Sequence, residues 1–206
     1  MKVRKDKLPT EQFDDQTSWD RWLALHGAAS PGVWLMIAKA GARRATVTKQ
    51  QAIETAIRQG WIDGQLSAFD AEYYLIRFTP RRPGSKWSAL NVEMAERLMR
   101  ENRVTPAGLR EIEAAKSDGR WSSAYAGQRL AEPPADLLQA LRASPKAQRK
   151  FAELDRANRY AIIYRVQDAK QAETRAKRIA TFIAMLENGQ TLHPKRARRA
   201  GSVRRR

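Results

Sequence analysis

The sequence contains no cysteine and only two histidines among its 206 residues. The lack of cysteine excludes disulfide bonds, thiol nucleophiles and thiolate metal sites, and it is typical of proteins in a reducing cytoplasm. His26 and His193 lie at opposite ends of the chain, so the usual ligand spacing of a zinc site is missing. We therefore predict a cytoplasmic protein that holds no metal ion.

Long apolar runs and the common catalytic motifs are also missing. No apolar segment approaches the roughly 20 residues of a membrane-spanning helix. The charged start of the chain is not followed by the apolar stretch of a signal peptide, so we expect no such peptide. We find no phosphate-binding loop, dinucleotide glycine motif or nucleophile elbow. We expect no cofactor and no membrane insertion, and the sequence favours a non-enzymatic function without deciding it.

Positive charge is abundant, with 39 Lys and Arg against 22 Asp and Glu and a formal net charge of +17. Such a balance favours anionic partners. We predict that residues 191–206 form a disordered basic tail, which would bind nucleic acid or anionic lipid with a steep salt dependence. The alternative is a solubilising tail without a dedicated partner. The cations of this tail are Lys195, Arg196, Arg198, Arg199, Arg204, Arg205 and Arg206.

The hydrophobic pattern predicts an α+β protein. The first part should hold a small, mostly antiparallel sheet packed with helices, and the part that follows should be all-helical. Predicted strands lie near 33–39, 61–66 and 72–78. Predicted helices lie near 17–26, after the capping box at Thr48, after Ser88, after Thr105, after Ser144, and over 159–186 with a break near Asp168. We divide the chain into a flexible N-terminus (1–13), an α+β domain (14–128), a helical domain (129–190) and the tail.

Residues 77–88 carry the most informative local pattern, because four cations, two prolines and a tryptophan fall within twelve residues. The prolines predict a stiff loop. Arginine offers paired donors to phosphate or carboxylate, and a helix capped by Ser88 would turn its positive end to the same place. The alternative is that these arginines pair with Asp63, Asp70 or Asp118. The predicted anion-binding residues here are Arg77, Arg81, Arg82, Ser85, Lys86, Trp87, Ser88 and Asn91, with the Trp87 ring packed on the less polar part of the ligand.

A second group of cations lies on the predicted long helix. Lys170, Thr174 and Arg178 are four residues apart and share one helical stripe, with Arg175 beside it. The stripe would complete an anion pocket, or it is a solvated face with surface ion pairs to Glu173. Asp63 and Glu173 are candidate carboxylates for orienting a ligand, although an aspartate such as Asp63 more often caps a turn or pairs with an arginine.

Several spaced motifs together resemble the YdeI/OmpD-associated, or bacteriocin-protection, family of bacterial proteins. The resemblance spans about residues 13–190 and leaves out the basic tail. The segments that carry it are Trp22-Leu23, Val33-Trp34-Leu35, 60–64, 78–83, 85–88, Asn91, 118–121, Ala169-Lys170, 173–175 and Arg178-Ile179.

The family resemblance implies a role in tolerance of bacteriocins, antimicrobial peptides and other stress, and it implies no established reaction or cofactor. Together with the loop, it predicts a cytoplasmic stress or bacteriocin-tolerance protein that binds an anionic small molecule or an acidic partner. The alternative is a nucleic-acid-binding protein that uses the tail and other basic faces. The oligomeric state is left open.

Overall fold

The computed structural model describes residues 8–125 and 131–193. The chain divides into two units, Met1–Tyr125 and Ala126–Arg206, and each has an apolar core of its own. Residues 194–206, which hold the seven cations of the predicted tail, lie outside the described residues.

Residues 8–125 of the N-terminal unit contain a four-stranded sheet and four helices. The strand order is β1-β2-β4-β3, in which β1 runs parallel to β2 and the other pairs are antiparallel. The small, mostly antiparallel sheet of the predicted α+β fold is therefore confirmed. In chain order the elements are β1 (Thr10–Glu11), α1 (Gln16–His26), β2 (Val33–Ala38), α2 (Lys49–Arg58), β3 (Trp61–Ala68), β4 (Tyr73–Pro80), α3 (Ala89–Arg100) and α4 (Pro106–Ser117).

Side-chain caps explain where three of these helices begin. Thr48 and Gln51 form a reciprocal capping box at the start of α2. Ser88 accepts a hydrogen bond from the backbone of α3, and Thr105 does the same for α4 just before Pro106. A capping hydroxyl satisfies a backbone N–H that has no partner within the helix. The helix starts predicted at these hydroxyls are thus present.

The sheet differs from the predicted pattern at β1 and at the ends of β3 and β4. The short strand β1 lies within the segment predicted to be flexible, and two residues are too few to show a strand periodicity. β4 extends to Pro80, two residues beyond its predicted end. Pro80 pairs with Trp61 of β3 but lies past the last pairing with β2, at Phe78. A proline fits there because no neighbouring β2 residue requires its missing N–H.

Two apolar clusters form the core of the N-terminal unit. The first packs the sheet against α1 and α2 and includes Trp19, Leu35 and Phe78. The second lies among α2, α3 and α4 and includes Leu98 and Trp87. The segment that follows β4 therefore runs from the sheet to a tryptophan in the helical cluster, and this path fixes the position of the candidate site.

The C-terminal unit is helical throughout its secondary structure in residues 131–193. The predicted break near Asp168 is present, because α7 ends at Gln167 and Asp168 is its C-cap. Leu137, Ile162 and Phe182 are core residues contributed by three different helices. Within the described ranges, no helix has both the length and the apolar character to cross a membrane. The helices are α5 (Ala135–Ala143), α6 (Pro145–Ala152), α7 (Arg156–Gln167) and α8 (Ala172–Glu187).

Gly108 allows α4 to approach the end of α2. A Cβ atom at this position would collide with the Arg58 carbonyl oxygen and lie 2.8 Å from Val104 Cγ1. We expect Gly108→Ala to lower the free energy of unfolding by about 1–3 kcal/mol, measured by urea denaturation. Glu113→Ala changes an exposed residue of the same helix and should change the free energy of unfolding by less than about 0.5 kcal/mol. Equal effects of the two substitutions would contradict the close approach of α4 to the end of α2.

Candidate functional site

Arg81 lies at the point where the sheet ends and the loop begins. Its backbone N–H donates to the Gly60 carbonyl over 3.0 Å, which extends the β3–β4 pairing beyond Pro80. Its side chain turns inward and is only 6% exposed. The guanidinium carbon lies 3.5 Å from the centroid of the Trp87 ring, and Nη1 donates to the Lys86 carbonyl over 3.2 Å. The buried Arg81 side chain therefore joins the start of the loop to its end at Lys86 and Trp87.

The remaining nitrogens of this pair are donors without acceptors. Among the residues that the structure describes, Arg81 Nε, Arg81 Nη2 and Trp87 Nε1 are buried and have no hydrogen-bond partner. Leaving a buried donor unpaired costs about 1–3 kcal/mol, and native proteins rarely do so. We call these three atoms the Arg81 donor cluster. It contains donors alone, so it suits a group that brings acceptor oxygens.

Burial lowers the pKa of the Arg81 guanidinium but leaves it positively charged near pH 7. Because the guanidinium is removed from water, its pKa falls to about 10. Asp63 and Glu111 oppose this fall through their negative charges, whereas Arg120 adds to it. Neither carboxylate is hydrogen-bonded to the Arg81 side chain among the described residues, since its Nη1 donates to a backbone carbonyl and its Nε and Nη2 have no partner. Arg81 thus remains a cation near pH 7, with no counter-ion bonded to it among the described residues.

The neighbouring loop residues serve mainly to build the loop. The Arg82 backbone N–H donates to Ser85 Oγ over 2.9 Å, and the Ser85 carbonyl accepts from Arg120 Nη1 over 2.8 Å. Gly84, between them, has a φ of +82°, a backbone conformation that favours glycine. The Arg82 side chain is exposed. The structure thus separates two adjacent arginines, one buried and one in solvent.

Trp87, Ser88 and Asn91 have structural contacts of their own. Trp87 is 1% exposed, and its ring centroid lies 4.9 Å from that of Trp121. It therefore supports Arg81, in place of the predicted packing on a ligand. Ser88 Oγ accepts from the Asn91 backbone N–H over 3.1 Å, so the start of α3 is already capped. Arg77 lies on β4 opposite Trp34, and Arg77 and Lys86 both interact with other groups.

The three aspartates predicted as alternative partners for the loop arginines have different roles. Asp70 accepts two backbone N–H bonds at the turn between β3 and β4. Asp118 binds the Arg120 side chain over 2.7 Å. Asp63 lies on β3 opposite Phe78 and acts on Arg81 through space. The described part of the chain contains no group of three or more acidic or histidine side chains that could hold a metal ion.

The predicted cation stripe in the C-terminal unit is partly used to hold its helices together. Arg175 of α8 makes two hydrogen bonds to the Asp136 carboxylate and one to the Val166 carbonyl. Arg178 donates to the Arg165 carbonyl. These contacts join α8 to α5 and α7. The other predicted residues of this group, Lys170, Glu173 and Thr174, are exposed or half-buried on the surface. We therefore restrict the candidate site to the Arg81 donor cluster in the N-terminal unit.

Sequence reasoning named Arg81 and Trp87 but missed Glu111. Glu111 lies on α4, 30 residues after Arg81 in the chain, and its charge favours the charged form of Arg81. The helical spacing of α4 marks Glu111 only as one of several polar positions. No local motif connects it with the loop.

Comparison with known proteins finds two family models that match separate segments of the chain. The fold is an α+β unit followed by a helical unit. Residues 131–189 match the family model described as Bacteriocin-protection, YdeI or OmpD-Associated, which supports the predicted family resemblance over that segment. Residues 11–111 match a different model, described as Domain of unknown function (DUF8412). The family match is therefore narrower than the predicted span of 13–190. No curated protein and no solved structure matches the chain.

The incomplete pairing of Arg81 predicts an unusual effect on stability. Replacing a buried charge by an apolar side chain of similar length is often neutral or stabilising. We expect Arg81→Met to melt at the same temperature as the wild type or higher in a buffer of low anion content, measured by differential scanning calorimetry. A large fall in melting temperature would show that the guanidinium is fully paired in the folded protein.

The Asp136–Arg175 pair predicts a pH dependence of the helical unit. Hydrogen bonds from Arg175 hold the pKa of Asp136 below its ordinary value of 3.8. A lowered carboxyl pKa contributes stability above pH 3.8, and this is lost as the pH falls through the folded-state pKa. We expect Asp136→Asn to cost about 1 kcal/mol or less near pH 7, because the pair is partly exposed. Hydrogen exchange of the Ile162 amide would measure this loss of stability in the helical unit. The difference in stability between Asp136→Asn and the wild type should shrink at lower pH.

Proposed function

We propose that this protein has a bacteriocin-protection-related function and that its N-terminal unit binds an anionic small molecule or an acidic group of a partner at the Arg81 donor cluster. One observation carries the proposal: the Nε and Nη2 edge of a buried, charged guanidinium has no acceptor among the described residues. The match of residues 131–189 supports the broader functional class.

An anion would supply what the folded N-terminal unit does not give Arg81. It brings a negative charge bonded directly to the guanidinium, together with oxygen acceptors, so two buried donors become charge-assisted hydrogen bonds. Such bonds gain strength in a site shielded from water. The stack on Trp87 and the bond to the Lys86 carbonyl hold the guanidinium in one orientation before the ligand arrives. Binding therefore needs little reordering of this side chain.

The exposed neighbour Arg82 provides a matched control, because Arg81→Gln and Arg82→Gln remove the same formal charge from adjacent positions. In buffer of low ionic strength, a bound anion at 100 times its dissociation constant should stabilise the wild type by about 2.7 kcal/mol. We expect Arg82→Gln to retain this stabilisation and Arg81→Gln to lose it in a thermal-shift screen of small anions. Equal losses in both variants would indicate general surface electrostatics and contradict the site.

Nucleic-acid binding is a second candidate function, favoured by the placement of charge. Residues 126–206 carry 19 Lys and Arg against 7 Asp and Glu. His193, the last described residue, exchanges two hydrogen bonds with Asn158 in the first turn of α7. His193 therefore lies beside the helix turn that carries the exposed cations Arg156 and Arg159. A gel-shift assay at rising salt tests this function, and a chain ending at His193 should lose most of the affinity while Arg81→Gln should retain it.

A further inference from the structure

We infer that the anionic group recognised by the Arg81 donor cluster is a single planar carboxylate, bound edge-on by Nε and Nη2. This inference rests on the proposed function and specifies the chemical class of its ligand. Three observations on the N-terminal unit carry it: which edge of the guanidinium is unpaired, which of its faces is covered, and how much negative charge already lies nearby.

The unpaired edge of Arg81 has the geometry of a carboxylate clamp. Nη1 donates a hydrogen bond to the Lys86 carbonyl, whereas Nε and Nη2 have no hydrogen-bond partner among the described residues. The N–H bonds of Nε and Nη2 lie side by side in the guanidinium plane and point in the same direction. This arrangement matches the two oxygens of one carboxylate in a bidentate pair.

The Trp87 ring restricts how a ligand can approach. Its centroid lies 3.5 Å from the guanidinium carbon, so one face of the guanidinium is covered and a ligand bound to both Nε and Nη2 must lie along its edge. A carboxylate can lie in the guanidinium plane with both oxygens bonded. A tetrahedral phosphate or sulfate carries additional oxygens above and below that plane. Those on the indole side meet the face of the ring, which offers no hydrogen bond because the Trp87 Nε1–H lies in the ring plane.

The local charge favours a ligand with one negative charge. Asp63 and Glu111 lie close enough to act on Arg81 electrostatically, and neither is bonded to it. The cation Arg120 also acts on Arg81, but its side chain is bound to Asp118 and to the Ser85 carbonyl. A monoanionic carboxylate neutralises Arg81. A phosphate dianion would add a second negative charge next to two existing carboxylates, which disfavours it.

The experiment follows the Arg81 Nε–H signal by ¹H–¹⁵N NMR, with the signal assigned from its loss in Arg81→Lys. Acetate, inorganic phosphate and sulfate are titrated separately at matched ionic strength. We expect acetate to shift the signal saturably in the wild type and in Arg82→Gln, and phosphate and sulfate to leave it unchanged. A shift with phosphate or sulfate but not with acetate would overturn the carboxylate inference and leave the anion site standing. No shift with any anion would overturn both.

A short peptide with a free or an amidated C-terminus distinguishes the two sources of a carboxylate. If the free peptide shifts the signal at lower concentration than acetate and the amidated peptide does not, the carboxylate of a chain end is the ligand. If acetate is as effective as the free peptide, the source is a small acid. Both results support the inference. A shift by the amidated peptide equal to that by the free peptide would contradict it.

Two variants test the geometric and electrostatic arguments separately. Arg81→Lys keeps the positive charge but lacks the paired edge, so acetate affinity, followed by its thermal shift, should fall by about tenfold or more. Unchanged affinity would contradict bidentate binding. Asp63→Asn removes one nearby negative charge and should narrow the preference for acetate over phosphate. An unchanged preference would contradict the charge argument.

Discussion

The contact between Arg81 and Trp87 joins the two halves of the N-terminal core. Arg81 continues the β3–β4 pairing through Gly60, whereas Trp87 belongs to the cluster formed by α2, α3 and α4. The stack thus links the end of the sheet to the helices through a charged side chain. A charge in this position is poorly solvated, and the fold retains it with part of its hydrogen bonding unmet. That cost to stability is the physical reason for assigning a binding role to this arginine.

Local signals predicted much of this fold, because helix caps depend on residues three positions apart and the longer strands are marked by their own runs of strand-forming residues. Thr48 with Gln51, Ser88 with Asn91, and Thr105 with Gly108 are all three residues apart, and each marks a real helix start. The strand β1 escaped prediction because its partner β2 lies more than 20 residues away and β1 has only two residues.

The candidate site was predicted only in outline, for a similar reason. Arg81 and Arg82 are adjacent residues of the same type, so the sequence does not distinguish them. The tertiary contact with Trp87 shows that Arg81 is the buried one. Arg175 appeared to belong to an anion-binding stripe, but it pairs with Asp136, 39 residues earlier in the chain. Long-range contacts of this kind leave no mark in helical or strand periodicity.

The central claim is that Arg81 is a buried cation without a bonded counter-ion until an anion binds. Titration of the Arg81 guanidinium by ¹³C NMR tests it most directly. In buffer of low anion content, a pKa near 10 is expected for Arg81, lowered from the ordinary arginine value by burial, and saturation with acetate should raise this pKa because a bound anion favours the charged form. An ordinary arginine pKa without any anion would contradict the account, since it would show that the guanidinium is solvated or already paired.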